Sequence, residues 1–448
     1  MVYTIAWALD KLFGVRVLKG SCMAEEKLYT TTVLVLGLVS FIEALAFSLP
    51  LSFFPQYALS LGASVASIGL FTSSFMAASA LMSPKLGGLA DRVGRKKVML
   101  WGLAGDVVFG ALTGLAPSWP WLLLIRTLNG AMTAAATLSA EAMLIDHVSP
   151  LKRGEGAGFV MSCGMIGRNL GPIFGGFVQF SAYTSGLTSL DDSYRMPYFV
   201  DAALAVFAIS VVALKLREGK HEAMPEKTGV SGRASSRVEG EKRARKAKLS
   251  RSFKILLACS FANGIALGFI LPVAALFFQD KFGAEPVVIG TILSSAGFVG
   301  LLASWVAGRL SDRVGRKPLI GVGGMSARVF GLALPFTSSV SEATSVFVFR
   351  SLGFNMFMPA LQALRADLVP AEQRGRLFGL YNMFFNAGDI AGPLLSAYLY
   401  DIYRTQTFYV GSMAIPGLGM PFYVNSVIGI ATTIVLLLFV EETRKTKA

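Results

Sequence analysis

Long apolar segments alternate with short polar ones along most of the chain. Segments bounded by charged residues, Gly or Pro predict twelve helices, at residues 30–58, 66–89, 98–117, 120–145, 156–181, 197–216, 254–279, 287–310, 318–337, 343–365, 377–402 and 420–440. One helical crossing of a bilayer takes about 20 apolar residues. The polar stretch 217–252 could bury no core, so it predicts a flexible linker. The pattern predicts an all-α membrane protein with twelve transmembrane helices in two six-helix bundles, at 30–216 and 253–441.

Composition supports a membrane protein and argues against several other classes. The chain has 448 residues, 54% hydrophobic and only 15% charged, whereas soluble domains carry about 25% charged residues. The cysteines (Cys22, Cys163 and Cys259) lie far apart and the histidines (His147 and His221) are few, so we expect neither a disulfide framework nor a metal site. The sequence has no phosphate-binding loop for ATP and no nucleophile paired with a base. We therefore expect no enzyme and no cofactor, and any active transport would use an ion gradient.

The N-terminal segment 1–29 and the tail 442–448 are expected to be cytoplasmic. The stretch before Lys27 is weakly hydrophobic with scattered charges, so it does not resemble a signal peptide. Met23 offers a second plausible start.

Lysine and arginine placement predicts the orientation, because cytoplasmic loops carry an excess of both. With the N-terminus inside, the outward loops hold few basic residues: Arg195, Lys281 and Arg404. The inward loops hold many: Lys85, Arg92, Arg95, Lys96, Lys97, Lys152, Arg153, Arg309, Arg313, Arg316, Lys317, Arg374 and Arg376. This asymmetry also explains the net charge of +14 without a nucleic-acid partner.

Internal repetition is the strongest signal in the sequence. The segment GGLADRVGRK at 87–96 returns as GRLSDRVGRK at 308–317, DHVSPLKRG at 146–154 returns as DLVPAEQRG at 367–375, and the Gly-Pro pair at 171–172 returns at 392–393. Each landmark recurs after 221 residues. The two bundles are therefore predicted to be duplicates joined by the linker.

The first repeated segment carries the pattern G-x-x-x-D-R-x-G-R-[KR], between the second and third helices of each half. Its members are Gly87, Asp91, Arg92, Gly94, Arg95 and Lys96, and again Gly308, Asp312, Arg313, Gly315, Arg316 and Lys317. On this motif the chain resembles the major facilitator superfamily over essentially all twelve helices. The resemblance implies a secondary transporter that works as a monomer. It also implies a cytoplasmic charge network in which Asp146, Arg153, Asp367 and Arg374 join the motif arginines and latch the inner gate.

Two further motifs resemble the drug:proton antiporters of that superfamily. The fifth helix carries Gly158, Gly167, Gly171, Pro172, Gly175 and Gly176 in the antiporter spacing, where small residues allow close helix approach and Pro172 bends the helix. Packing by small residues is the alternative explanation. The fourth helix carries Arg126, Asn129 and Gly130, which resemble an R-x-x-Q-G pattern whose arginine takes part in proton transfer, with Asn129 in place of glutamine.

Ionisable groups at membrane depth are costly and mark functional positions. Glu43, midway along the first helix, is the first candidate for proton coupling and for attracting a cationic substrate, with a structural hydrogen bond as the alternative. Asp106 and Asp389 follow, whereas Asp201 is expected to be wet near the outer surface. Arg350 is the approximate counterpart of Arg126. Arg328 is expected to pair internally, and Arg168 could pair with Asp389, its equivalent in the other half.

The remaining residues expected to line a cavity are apolar or weakly polar: Phe47, Phe54, Met132, Asn263, Phe269, Asn355, Met356 and Met358. Such a surface accommodates varied shapes. The sequence therefore favours proton-coupled export of small amphipathic or hydrophobic compounds by alternating access. A specific sugar or organic-anion transporter is the alternative, since Arg126 and Arg350 would suit an anion. A non-transporting sensor is disfavoured because the gate motifs are intact in both halves.

Overall fold

The computed structural model describes residues 30–149, 152–186, 188–216, 251–369 and 374–440. The helices are α1 (Thr31–Ser48), α2 (Phe54–Ser60), α3 (Ile68–Val93), α4 (Arg95–Gly114), α5 (Trp119–His147), α6 (Arg153–Thr184), α7 (Leu190–Ser193), α8 (Met196–Lys215), α9 (Arg251–Gly268), α10 (Ala274–Phe282), α11 (Pro286–Val314), α12 (Arg316–Ala333), α13 (Val340–Leu368), α14 (Arg374–Tyr403) and α15 (Met420–Phe439). The segments 1–29 and 442–448, and the predicted linker except for 251–252, lie outside the described residues.

These helices make twelve crossings within the described part of the chain, which confirms the all-α membrane fold. Crossings one and seven are interrupted: α1 and α2 flank Pro50, and α9 and α10 flank Pro272. A proline removes a backbone donor and disfavours a continuous helix. Six helical stretches are long and apolar enough to span a membrane by length and composition alone. Others, such as α6, are rich in glycine and bury it against a neighbouring helix.

The duplication is visible in the packing. In the first half, α1 packs on α6, and α4 packs on both α5 and α8. In the second half, the equivalent α9 packs on α14, and α12 packs on both α13 and α15. The two halves meet mainly where α6 contacts α11 and where α3 contacts α14. The bundle thus consists of two similar units joined along two seams.

The two ends of the molecule differ. The basic end carries the motif turns at 93–95 and 314–316, and the opposite end, the hairpin end, carries residues 407–416. At the hairpin end Val65 and Ile68 of the first half share one buried cluster with Leu276, Phe277 and Phe278 of the second half. Apolar burial therefore closes this end between the halves.

At the basic end the halves stand apart. Cβ atoms added at the glycines facing that end would meet no atom within 4 Å: Gly87, Gly158, Gly308 and Gly379. Near the hairpin end the same helices touch through backbone, since a Cβ on Gly69 or Gly290 would lie 2.7 Å from the carbonyl carbon of Pro393 or Pro172, respectively. The protein is closed at the hairpin end and open at the basic end.

A β-hairpin connects the last two crossings. Strand β1 (Thr407–Val410) pairs antiparallel with β2 (Met413–Pro416), and the turn has Gly411 at φ +62°. The predicted helices leave residues 403–419 as a connection without secondary structure. The signal for the hairpin was Gly411-Ser412 between two four-residue runs, a two-residue connection typical of tight hairpins.

Candidate functional site

The motif turns of the basic end place an arginine at the start of α4 and of α12. Gly94 and Gly315 connect α3 to α4 and α11 to α12 with φ of +111° and +113°, a conformation that favours glycine. Arg95 forms an ion pair with Asp146 and donates to the Ala142 carbonyl at 2.5 Å. Each turn thus aims its arginine at the end of the fourth helix of its half.

The second half repeats this contact. The Arg316 Nε atom lies 3.3 Å from an oxygen of Asp367, and its Nη1 donates to Ser311 at 3.0 Å. Arg153 instead donates to the Val148 carbonyl at 3.3 Å. Both ion pairs join residues of the same half, so they brace each half while the basic end is open. Their role as a latch stays a prediction.

The other predicted members of this network occupy several positions. Asp91 lies 3.6 Å from Arg95, Arg92 and Arg313 are exposed, and Gly87 and Gly308 face open space. The side chains of Asp312 and Arg374 lie outside the described part of the chain.

Three carboxyl groups meet inside the first half. Glu43 on α1 lies close to Asp106 on α4, and both interact electrostatically with Asp201 on α8. Asn129 and Thr133 donate to Oδ1 of Asp106 at 2.8 and 3.2 Å. No hydrogen bond from a described side chain or backbone group reaches the buried Oδ2 of Asp106. A proton on Glu43 would give that oxygen a donor.

Asp201 lies closer to the other acids than the sequence predicts. Its helix begins at Met196 near the hairpin end, which predicted a wet position, but its half-buried side chain faces α4 and interacts with the other two carboxyls. Its Oδ2 lies 3.3 Å from the position that a Cβ on Gly110 would take. One signal was available: Gly110 and Gly114 leave space on the facing side of α4.

Arg126 links this acidic cluster to a cavity. Its guanidinium group stacks on the rings of Phe54 and Phe75, 5.3 and 5.2 Å from the ring centroids, and is attracted by Asp201 and Asp106. A guanidinium group over an aromatic face gains cation–π attraction. Asn129 lies one turn further on the same helix, so the fourth-helix motif supplies both a positive charge and a donor to the acids.

The cavity lies below the closed hairpin end, between the halves. The space free of protein atoms is about 510 Å³, including open solvent at its mouth. Its lining is mostly apolar: Phe47, Pro50, Leu51, Phe54, Pro55, Ile68, Thr72, Phe75, Met76, Arg126, Leu271 and Pro272. An apolar cavity with one fixed charge suits an amphipathic compound.

Of the predicted lining residues, only Phe47 and Phe54 border this cavity. Met132 instead packs on Gly105, Asn263 contacts Thr432, and Asn355 bonds to Ser304 and Ser351 within the second half. The structure does not place Phe269, Met356 or Met358 in the lining either. These residues were assigned to the cavity from the helix on which they lie, which does not predict the face of that helix that turns inward.

The fifth-helix motif makes two different contacts. Gly167 and Gly171 pack against the backbone of α1 and Gly175 packs against Leu49 just after it. Pro172 and Gly176 meet α11 of the other half. The backbone N–H of Ile173 also donates to Ser294 across that seam at 3.1 Å. The motif therefore holds the first crossing and forms part of the seam between halves.

Three remaining candidates lie apart from the acidic cluster. No ion pair joins Arg168 to Asp389 in the described residues; Arg168 stacks over Phe47 at 5.4 Å. Arg350 lies in the second half beside Arg328, which donates to Asn425 at 3.0 Å and so has the expected internal partner.

Comparison with known proteins agrees with this architecture. The family model described as Major Facilitator Superfamily matches residues 36–258 and 256–448. The chain is 27% identical over 389 residues to the multi-drug resistance efflux pump PmrA of Streptococcus pneumoniae, covering 84% of this chain and 91% of that one. It is 29% identical over 371 residues to multidrug resistance protein MdtG of Escherichia coli, covering 80% and 85%.

Solved structures show the same fold. A bacterial homolog of the human lysosomal transporter Spinster, in an inward-facing conformation, superposes with a TM-score of 0.75 at 18% identity, covering 96% of this chain and 100% of that one. A D-xylose-proton symporter superposes with a TM-score of 0.73 at 17% identity, covering 92% and 98%. The duplicated bundles, the paired motif turns and the match over nearly the whole chain lead to one conclusion: this protein belongs to the Major Facilitator Superfamily and is a multi-pass membrane transporter.

Proposed function

We propose that the protein exports small amphipathic or hydrophobic compounds in exchange for protons. The observation that carries the proposal is the convergence of Glu43, Asp106 and Asp201 beside Arg126, which itself lines the apolar cavity. The name of PmrA, a multi-drug resistance efflux pump, supports the direction and the substrate class, and the name of the multidrug resistance protein MdtG supports the substrate class.

The geometry of the acids favours proton binding. Two carboxyl groups that lie close together favour a shared proton, and one arginine balances only one of three negative charges. Like charges at close range in a desolvated site disfavour simultaneous ionisation. The cluster is therefore suited to take up and release at least one proton during the cycle.

Arg126 provides the connection between proton and substrate. When the acids are ionised they attract the guanidinium group, and when they are protonated that attraction weakens. Because the same group lines the cavity between Phe54 and Phe75, its position and charge balance affect a bound compound. Proton uptake from outside would thus promote release of the compound.

Alternating access follows from the two ends. We assign the basic end to the cytoplasm, with both termini there, since loops of that end hold most of the basic residues. The described state is then open to the cytoplasm. Rocking of the halves would part the cluster around Phe277 and bring the facing glycines of the basic end together.

The test is uphill dye transport in inverted vesicles, with and without an imposed proton gradient. Glu43→Gln, Asp201→Asn and the wild type are compared with Asp191→Asn, which neutralises an exposed carboxylate outside the membrane. We expect gradient-driven accumulation of a lipophilic cation in the wild type and the control, and its loss in both cluster variants. Normal uphill transport by Glu43→Gln would overturn the assignment of that residue.

A second candidate is a specific carrier of an organic anion. Arg126 in the cavity and Arg168 over the cavity-lining Phe47 favour it. Gradient-driven movement of aromatic carboxylates, with no movement of lipophilic cations, would select this function.

A further inference from the structure

The second half contains a buried polar cluster at the place where the first half holds its acids. The Met-Pro pair at 196–197 recurs at 420–421, so Asp201 corresponds to Asn425, and Gly110 corresponds to Gly331. We define the arginine cluster as Arg328, Arg350, Tyr423, Asn425 and Ser426, on α12, α13 and α15. Its charge is opposite to that of the acidic cluster.

The contacts of Arg328 fix it in the protein interior. Its residue surface is 3% exposed, and its Nη1 donates to Oδ1 of Asn425 at 3.0 Å. Asn425 in turn donates to the backbone carbonyl of Ala266, which sets the orientation of its amide. Gly429 leaves the space that the Arg328 side chain occupies.

Arg350 approaches from the neighbouring helix. Its guanidinium group lies 5.7 Å from the ring centroid of Phe347 and is close enough to Arg328 for the two charges to repel. A Cβ on Gly331 would lie 3.7 Å from Nε of Arg350 and 2.7 Å from Oγ of Ser426. Arg350 and Ser426 therefore both lie against the backbone of α12 at Gly331, where there is no side chain.

Several polar atoms of this cluster are buried without a partner: Nε of Arg328, Nε of Arg350, the Tyr423 hydroxyl and Oγ of Ser426. No carboxylate of the described residues forms an ion pair with either arginine. Within the described part of the chain, the one hydrogen bond that either guanidinium group makes goes to a neutral amide.

This arrangement calls for a negative charge. Burying an unpaired charge costs several kcal/mol, and each unsatisfied buried donor adds a further penalty. Two positive charges side by side raise that cost. All four unpartnered atoms are hydrogen-bond donors or hydroxyls that can donate, so an acceptor carrying negative charge would satisfy both the charge and the hydrogen bonds.

We propose that the arginine cluster binds a small monoanion between α12, α13 and α15. The chemistry is that of a halide ion or of a carboxylate group on a small molecule, held by the two guanidinium groups and the Ser426 and Tyr423 hydroxyls. The site is separate from the proton-binding cluster, so it does not depend on the proposed function.

The test measures the melting temperature of the purified full chain in detergent. Sodium gluconate, whose anion is too large for a buried site, is replaced stepwise by chloride, bromide or acetate at constant ionic strength. We expect a saturable rise of about 2 °C or more with the anion that fits, because a ligand bound only by the folded state stabilises it. A rise with halides selects an inorganic ion, and a rise with acetate alone selects a carboxylate.

Arg328→Gln and Arg350→Gln should abolish the rise, whereas Arg309→Gln, which removes an exposed arginine stacked on Trp305, should keep it. Since Arg328→Gln could fail to fold, wild-type crystals soaked in bromide give an independent measurement, with an anomalous peak expected beside both guanidinium groups. An equal rise in all variants, or no anion-specific rise together with no bromide peak, would overturn the proposal.

Discussion

Gly290 is the position where one methyl group should shift the balance between the two transport states. It lies on α11 at the seam with α6, near the closed hairpin end. A Cβ there would sit 2.7 Å from the carbonyl carbon of Pro172 and 2.9 Å from Cα of Ile173, below the 3.0 Å that real Cβ atoms respect. These neighbours are backbone atoms, so no side chain can move away.

The magnitude follows from this geometry. Relieving the overlap requires the two helices to separate by about 1 Å, and overpacking of this kind costs about 1–3 kcal/mol. The cost applies only while the hairpin end is closed. A difference of that size changes the ratio of two states by about 5- to 150-fold, so Gly290→Ala should favour the state that is closed at the basic end.

The assay is a distance distribution between spin labels on Lys85→Cys and Gly379→Cys, at the basic ends of α3 and α14, with Cys22, Cys163 and Cys259 replaced by serine. Both label positions are exposed. Gly290→Ala should add or enlarge a short-distance population. Gly308→Ala, on the same helix but with open space around its Cβ, should retain the long distance. If Gly290→Ala gives the wild-type distribution, the seam does not control closure and the reasoning fails.

Three further predictions test other parts of the structure. Asp201→Asn should abolish gradient-driven dye export as fully as Glu43→Gln while leaving the melting temperature within a few degrees of wild type; normal export would return Asp201 to a peripheral role. A double-mutant cycle of Arg95→Gln and Asp146→Asn, read by thermal unfolding, should give a coupling free energy below about 1 kcal/mol. The reason is that the two side chains are 19% and 42% exposed, and exposed ion pairs are weak; a coupling of several kcal/mol would contradict this. Tyr57→Phe should cost about 0.5–1.5 kcal/mol of stability, because it removes the hydrogen bond that the tyrosine donates to the Thr113 carbonyl at 2.5 Å while the N–H of Ala116 still donates to that carbonyl at 3.3 Å. Tyr409→Phe on the exposed hairpin should melt like wild type.

The sequence predicted the helices and their duplication well, because membrane crossings need long apolar segments and a duplicated unit repeats the same residues at a constant offset. Gly94 and Gly315 illustrate the success, since both stand at the same place in the repeated motif, between two predicted helices. Glu43 and Asp106 were chosen as candidates because charge at membrane depth is rare, and Arg126 because of its motif; their roles stay predictions. These predictions depend on composition and order along the chain alone.

Rotation of each helix about its axis was the information that the sequence lacked. Asp201 was placed near water from its distance to the helix start, yet it points into the bundle. Asn263 and Asn355 were expected in the cavity and instead make hydrogen bonds within their own half. Amphipathic periodicity normally reveals the buried face of a helix. A membrane crossing is apolar on the face that meets lipid and on the face that meets protein, so periodicity does not tell the two faces apart.

The hairpin between the last two crossings offers an experimental handle on orientation. Its turn at Gly411 is exposed, its strands pair only with each other among the described sheets, and a Cβ at Gly411 would meet nothing within 4 Å. Exposed loop tips of this kind tolerate insertions. An epitope inserted there would lie on the side opposite the basic end. Antibody binding to intact cells would then show which end of the transporter faces the outside, without changing the helices that move.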